Sequence, residues 1–259
     1  MMTRRQLEIA MPWLVTIGIF LVWEAAVRGF AIQEFVLPAP TAVFDAFMQF
    51  RAAILDHAMH TLYTTVLGFG FAVIGGVLLG VAVGSSTLVY NGIYPVLIGF
   101  NSIPKVAVVP VLVVWFGIGT VPAVITAFLI SFFPIAVNVA TGLATLEPEL
   151  EDVLRSLGAK KLDILIKVGF PRSLPYFFAS LKVAITLAFV GSVISETIAS
   201  NEGIGYLMLQ ASSRFQIPLV FAGLVVIAVM GIVMYAIFAV IERRFTGWAT
   251  RKVDYATGG

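Results

Sequence analysis

The chain has 259 residues, 60% hydrophobic and 12% charged, with a mean hydropathy of +1.02. A soluble domain carries roughly 25% charge, so the composition excludes a water-soluble globular fold and reads as a polytopic membrane protein with room for about six spans of ~20 residues. The absence of cysteine excludes disulfides, thiol chemistry and cysteine metal sites, while the net charge of +2 favours no class of partner and no nucleic acid is expected.

Six apolar stretches follow in chain order. The first is 11–27, with Glu24 near its outer end as an interfacial anchor. Arg4 and Arg5 precede it; they read as ordinary anchors, since no convincing cleavage site follows, and the span is retained. The second is 61–84, without charge. His57 and His60 stand before it with only Asp56 nearby, so no metal site is expected. Within it Gly68, Ala72, Gly76, Gly80 and Gly84 recur every four residues along one helix face. Small residues let a neighbouring backbone come close; packing within the subunit is the first reading and a subunit dimer the second.

The third stretch, 88–116, is broken around Pro104 and Lys105, with Pro110 beyond. A short helix over about 90–102 and a second over about 105–116 are expected. Broken helices at membrane depth are tolerated where they are buried or line a cavity. Ser102, Pro104 and Lys105 are therefore assigned to the translocation path, with a kinked structural helix as the alternative. The fourth stretch, 121–146, contains Pro134. The fifth, 174–199, carries Lys182 and Glu196. Lys182 lies ~13 Å along that helix and can snorkel to the cytoplasm. Glu196, near the outer end, either orders the 201–206 loop or meets substrate, and joins the translocation-path set. The sixth, 217–241, is uncharged.

Lysine and arginine set the orientation. With the N-terminus inside, Arg4, Arg5, Arg155, Lys160, Lys161, Lys167, Arg172, Arg243, Arg244, Arg251 and Lys252 are cytoplasmic, eleven in all. Arg28, Arg51 and Arg214 are outside, and Lys105 and Lys182 lie within spans, completing the sixteen. Both termini and the loop 147–171 are thus expected in the cytoplasm.

That loop is the longest highly charged stretch. Glu147, Glu149, Glu151 and Asp152 come first, then Arg155, Lys160, Lys161 and Lys167. Acids at a helix start and bases at its end suit the helix dipole. Pro148 fits a first turn. Leu150, Val153, Leu154 and Leu157 form one apolar face, and Gly158 permits a sharp turn. A second short helix is expected over 160–168, with Pro171 and Pro175 bracketing the start of the fifth span. An apolar face outside the membrane needs a partner.

The loop resembles the EAA motif of permeases of binding-protein-dependent ABC importers. That pattern is Glu-Ala-Ala, three residues, Gly, nine residues, then Ile-x-Leu-Pro. Here Asp152, Val153 and Leu154 are followed by three residues, Gly158, nine residues, then Val168, Gly169, Phe170 and Pro171. Gly and Pro match at the right spacing, while larger residues replace the two alanines. Leu37 to Thr41, Ile103 to Pro110, Trp115 to Gly119, Phe132 to Ile135, Glu196-Thr197 and Gly203 to Tyr206 are similar to the nitrate/sulfonate/taurine branch.

The resemblance implies an all-α permease forming one domain over 1–259, with six spans and a two-helix coupling loop over 147–171. It places the chain in the bacterial plasma (inner) membrane. Glu151, Asp152, Val153, Leu154, Arg155, Leu157, Gly158 and Ala159 would engage an ATPase, and Val168, Phe170 and Pro171 would end the loop. The implied partners are two copies of an ABC ATPase subunit, a second permease subunit as a homodimer, a periplasmic or lipid-anchored substrate-binding protein, and membrane lipid. No cofactor is expected on this chain; ATP and Mg would sit on the ATPase, in keeping with the lack of a phosphate-binding Gly-x-x-x-x-Gly-Lys loop here. The implied cargo is a small solute, an anion such as nitrate or a sulfonate. Three other classes fit less well. An ion-coupled secondary transporter would show repeats and paired midplane acids. A membrane enzyme would show clustered polar side chains. The coupling subunit of a vitamin importer would lack the spacing from Gly158 to Pro171.

Overall fold

A computed structural model describes residues 4–144 and 148–246. Glu147, Arg251 and Lys252 of the charge assignment lie outside those residues. The described residues form helices and connecting turns, with no strand among them. In order these are α1 (Arg4–Gly29), α2 (Pro40–Gly84), α3 (Thr87–Asn101), a 3₁₀ turn (Lys105–Val108), α4 (Val109–Phe116), α5 (Thr120–Ala144), α6 (Pro148–Ser156), α7 (Lys161–Ile164), a π-helical turn (Leu165–Gly169), α8 (Phe170–Ala199), α9 (Ile204–Ser213) and α10 (Ile217–Thr246). Five helices are long and apolar enough to cross a membrane, and the bent pair α3–α4 makes a sixth candidate span.

The bundle is organised around α5. The small-residue face of α2 lies on one of its sides. A Cβ placed on Gly68 would stand 2.5 Å from Ala127 Cβ, one on Gly80 2.6 Å from Val139 Cβ, and one on Gly84 2.7 Å from the Ala140 carbonyl oxygen. On the other side α8 approaches through Gly191, where a Cβ would stand 3.0 Å from Ala127 Cα. Ala127 is thus wedged between two glycines on two helices. In lipid, apolar burial does not drive helices together, and close backbone approach with dense dispersion contact takes over that role. Of the two readings of the stripe, packing within the subunit is the one seen. Phe69, Ile135, Val139, Leu181, Ile185 and Phe189 fill the remaining core beside it.

Three boundaries differ from expectation. α2 starts at Pro40 rather than Thr61, so His57 and His60 lie inside a helix. Pro40 sits in the first turn, where its missing N–H costs nothing, and Phe50 (φ −104°, ψ 15°) bends the helix there. The charges at Asp45, Arg51 and Asp56 keep 40–60 out of the uncharged apolar stretch, yet this segment runs on into it as one helix, bent at Phe50. α8 starts at Phe170, and Pro171 and Pro175 lie within it near its start rather than bracketing it. The segment after Gly203 is a ten-residue helix, α9, that periodicity did not reveal.

α1 is tied to α2 through Glu24 and meets α10 where the Trp23 ring lies 5.9 Å from that of Phe221. Glu24 accepts from Arg28 Nε (2.6 Å), from the Thr41 backbone N–H (3.1 Å) and from Thr41 Oγ1 (2.9 Å). The anchor expected at Glu24 also caps the start of α2.

The α2–α5 contact generates a direct prediction. Gly80→Leu should lower the melting temperature of the detergent-solubilised protein, at a cost of about 1–3 kcal/mol for overpacking. Gly70→Leu, whose Cβ meets nothing within 4 Å, should leave it unchanged.

Candidate functional site

Three regions hold the candidate residues: the loop end, the break in the third span and the end of the bundle opposite the loop. The first is the loop end. α6 closes with two backbone bonds: Gly158 N donates to Arg155 O (2.9 Å) and Ala159 N donates to Leu154 O (3.0 Å). This is a Schellman closure, which requires a left-handed residue at its turn. Gly158 supplies it with φ +85°. Beyond the turn, α7 and the π-helical turn run into α8, so the second loop helix is shorter than the expected 160–168 and merges with the span. An Asp163–Lys167 pair at 3.1 Å spans this segment. Ile164 is buried against the bundle. On α6, Val153 and Leu157 are 55% and 78% exposed, Asp152 and Arg155 are exposed, and Leu154 and Ala159 are half-buried. At the loop's far limit Phe170 is exposed and Val168 and Pro171 are half-buried. The side chain of Glu151 lies outside those described.

The second region is the break in the third span. α3 and the following Lys105–Phe116 segment bend by 72°. Pro104 is extended (φ −64°, ψ 101°), and Ser102 Oγ returns to Ile98 O at 3.1 Å. Lys105 Nζ donates to the Asn101 carbonyl oxygen and to Asn101 Oδ1 (2.8 Å). The ammonium therefore stands at the C-terminus of α3, where the break frees carbonyl groups and the helix dipole favours a cation. The break falls where the prolines and Lys105 predict it.

The third region is at the opposite end. The three backbone N–H groups that begin α9 are accepted by side chains of two other helices. Gly203 N donates to His57 Nδ1 (3.1 Å), Ile204 N to Thr61 Oγ1 (2.9 Å), and Gly205 N to Glu196 Oε2 (3.2 Å). Thr61 Oγ1 in turn donates to Glu196 Oε2 at 2.8 Å. His60 Nε2 lies 3.1 Å from Glu202 Oε2 and 3.2 Å from Thr120 Oγ1. As the acceptor of Gly203 N–H, His57 carries its proton on Nε2. Glu196 has no exposed surface. The two roles open to it were loop ordering and substrate contact, and its placement is that of the loop anchor.

This arrangement explains why glycine stands twice after Glu202. Gly203 has φ +96°, and a Cβ there would fall 2.1 Å from the Glu196 carboxyl carbon. At Gly205 a Cβ would fall 2.4 Å from the Val193 carbonyl oxygen. The other Gly-Ile-Gly segment meets the same helix end, where Gly119 N donates to Ala199 O at 3.0 Å. Thr64 Oγ1 also reaches Glu196, at 3.4 Å from Oε1, and neither it nor Thr61 is singled out by the sequence, which offers His57 and His60 only as a pair with no metal site expected. Their spacing of three and four residues on one face of α2 is the signal that would have found them.

Lys182 also differs from expectation. Rather than snorkelling to solvent, its Nζ pairs with Glu242 Oε2 at 2.6 Å, between α8 and α10.

The family described as binding-protein-dependent transport system inner membrane component matches residues 72–247. The chain is similar to the formylaminopyrimidine transport permease protein ThiX of Halalkalibacterium halodurans, at 27% identity over 96% of this chain and all of that one. It is similar to the riboflavin transport system permease protein RibX of Chloroflexus aurantiacus, at 32% identity over 90% of this chain and 88% of that one. It is also similar to the taurine transport system permease protein TauC of Escherichia coli, at 26% identity over 88% and 85%. Among solved structures, an inward-facing form of the MetNI methionine ABC transporter shares the fold, with a TM-score of 0.67 at 18% identity over 76% of this chain and 98% of that one.

The buried cap on α9 sets an expectation. Glu196→Ala removes the acceptor of Gly205 N, while the Thr61 hydroxyl keeps the His57 carbonyl oxygen at 3.1 Å, and the one unpaired buried donor costs about 1–3 kcal/mol. Its melting temperature should fall, and amide hydrogen exchange across α9 should accelerate. Glu196→Gln keeps one acceptor oxygen and should lose less on both measures.

Proposed function

The chain belongs to the binding-protein-dependent transport system inner membrane component family, and on that premise we propose how this ABC importer permease subunit receives its drive. The observation that carries the reading is α6, with Val153 and Leu157 exposed on a helix outside the spans and closed by Gly158. An exposed apolar pair beside Asp152 and Arg155 is suited to a groove with a polar rim. The groove would belong to an ATPase subunit. Glu151, Asp152, Val153, Leu154, Arg155, Leu157, Gly158 and Ala159 form the contact, and Val168, Phe170 and Pro171 pass its movement into α8. ATP and Mg would be bound on that partner.

In the proposed assembly a homodimer of this chain sits on two ATPase copies, and a periplasmic or lipid-anchored binding protein docks at the opposite end. Both termini face the cytoplasm, which places the α9 cap outside, in line with the eleven-to-three lysine and arginine bias. All 259 residues act as one permease domain. Ser102, Pro104 and Lys105 line the translocation path, where the ammonium at the helix break gives a positive potential. A cation there suits a small anionic cargo, a sulfonate, taurine or nitrate. A second cargo has a specific observation in its favour, the match to the formylaminopyrimidine permease along that protein's whole length. A sulfonate or a neutral pyrimidine that raises the melting temperature of the partner binding protein decides between them.

Gly158→Val tests the coupling contact. A Cβ at 158 meets nothing within 4 Å, so the substitution acts through the left-handed backbone, at about 1–2 kcal/mol. In reconstituted complexes it should weaken ATPase attachment or uncouple hydrolysis from uptake. Deleting 151–161 should abolish attachment. Retention of the ATPase after that deletion would contradict the assignment.

A further inference from the structure

We infer that the Lys182–Glu242 ion pair sets the register between α8 and α10, so that α10 travels with α8 when the coupling loop moves. This rests on the coupling reading above. α8 continues directly from the loop through the π-helical turn. α10 lies far from the loop along the chain, because α9 intervenes at the opposite end of the bundle. At the loop end the two helices are joined by side chains.

Two kinds of contact join them there. The apolar kind is the stack of Phe178 on Phe245 at 5.6 Å, while Met230, Met234, Phe238 and Ile241 face the shared core, where the Phe238 ring meets Phe69 of α2 at 5.1 Å. Apolar contact has no direction and fixes a sliding register weakly. The ionic kind is the Lys182–Glu242 bond at 2.6 Å, with side chains only 20% and 17% exposed. The ammonium also lies 5.9 Å from the Tyr235 ring centroid. Lys182 is ~18 Å along α8 from Phe170, and Glu242 is four residues before the end of α10. A one-turn slip of either helix would separate the charges, and an unpaired charge away from water is costly. Buried ion pairs add little net stability compared with apolar residues of the same volume, and fixing register is their best-attested use.

Stability and register therefore separate experimentally. The double variant Lys182→Met/Glu242→Leu removes both charges and keeps apolar bulk. The reciprocal variant Lys182→Glu/Glu242→Lys keeps the bond with its ends exchanged. Each is placed in the complete complex with its ATPase and binding protein, in vesicles, and ATP hydrolysed per solute imported is measured. The apolar variant is expected to assemble and melt like the parent while ATP used per import rises by at least about five-fold, the scale of a modest coupling energy. The reciprocal variant is expected to return that ratio to near the parental value. A parental ratio in the apolar variant would overturn the inference, leaving the pair as mutual charge compensation. So would loss of assembly or melting temperature in that variant, which would make the pair structural. A reciprocal variant as uncoupled as the apolar one would also contradict it. Failure of the coupling assignment itself looks different: the ATPase would stay attached after loss of 151–161, whatever happens at 182 and 242.

Discussion

The structure depends on how closely α2 and α8 approach α5. Three backbones meet at Ala127, with Gly68 on one side and Gly191 on the other. No side chain larger than hydrogen fits at either glycine without moving a backbone. Such contact holds helices together in a solvent as apolar as their own side chains. It also makes the three helices poor at sliding, because each interlocks with a groove of its neighbour. A displacement delivered to one of them reaches the other two.

The two ends of the bundle use that stiffness differently. At the loop end, a Schellman turn and a π-helical turn join α6 to α8 without a flexible linker. At the opposite end, His57, Thr61 and Glu196 cap α9 from two different helices, so the position of α9 reports the spacing of α2 and α8. Thr120, at the start of α5, reaches the same cluster through His60. All three helices that meet at Ala127 thus contribute to the cap. An importer must open one end while it closes the other, and a stiff core with polar fastenings at each end is the material for it.

Much of this was legible in the sequence, for local reasons. The small residues at 68, 72, 76, 80 and 84 give a periodic signal on one helix, and the helix they face needs no signature. Pro104 and Pro110 mark a break by chemistry that acts on adjacent residues. Gly158 follows an amphipathic turn and can be read as its end. What escaped was set by distant pairing. His57 meets Gly203, 146 residues away, and Lys182 meets Glu242 across a different helix. Neither residue carries a mark of its partner, so Lys182 reads as a snorkelling lysine and His57 as a histidine without a metal site. The start of α2 escaped because Asp45, Arg51 and Asp56 interrupt the apolar run before Thr61, although Pro40 is a legible helix start. α9 escaped because its first turn is capped by other helices and has no capping side chain of its own.

The central claim is that the subunit moves as a stiff lever driven from α6. Spin labels at Lys160, exposed just after α6 and outside the proposed ATPase contact, and at Ser212 on α9 measure it, read by pulsed dipolar spectroscopy in the assembled complex with and without ATP. The distance from 160 to 212 within one subunit is expected to stay constant, while the distance between the two copies of 160 shortens on ATP binding. A fixed separation between the two loops with a changing distance inside the subunit would contradict the account.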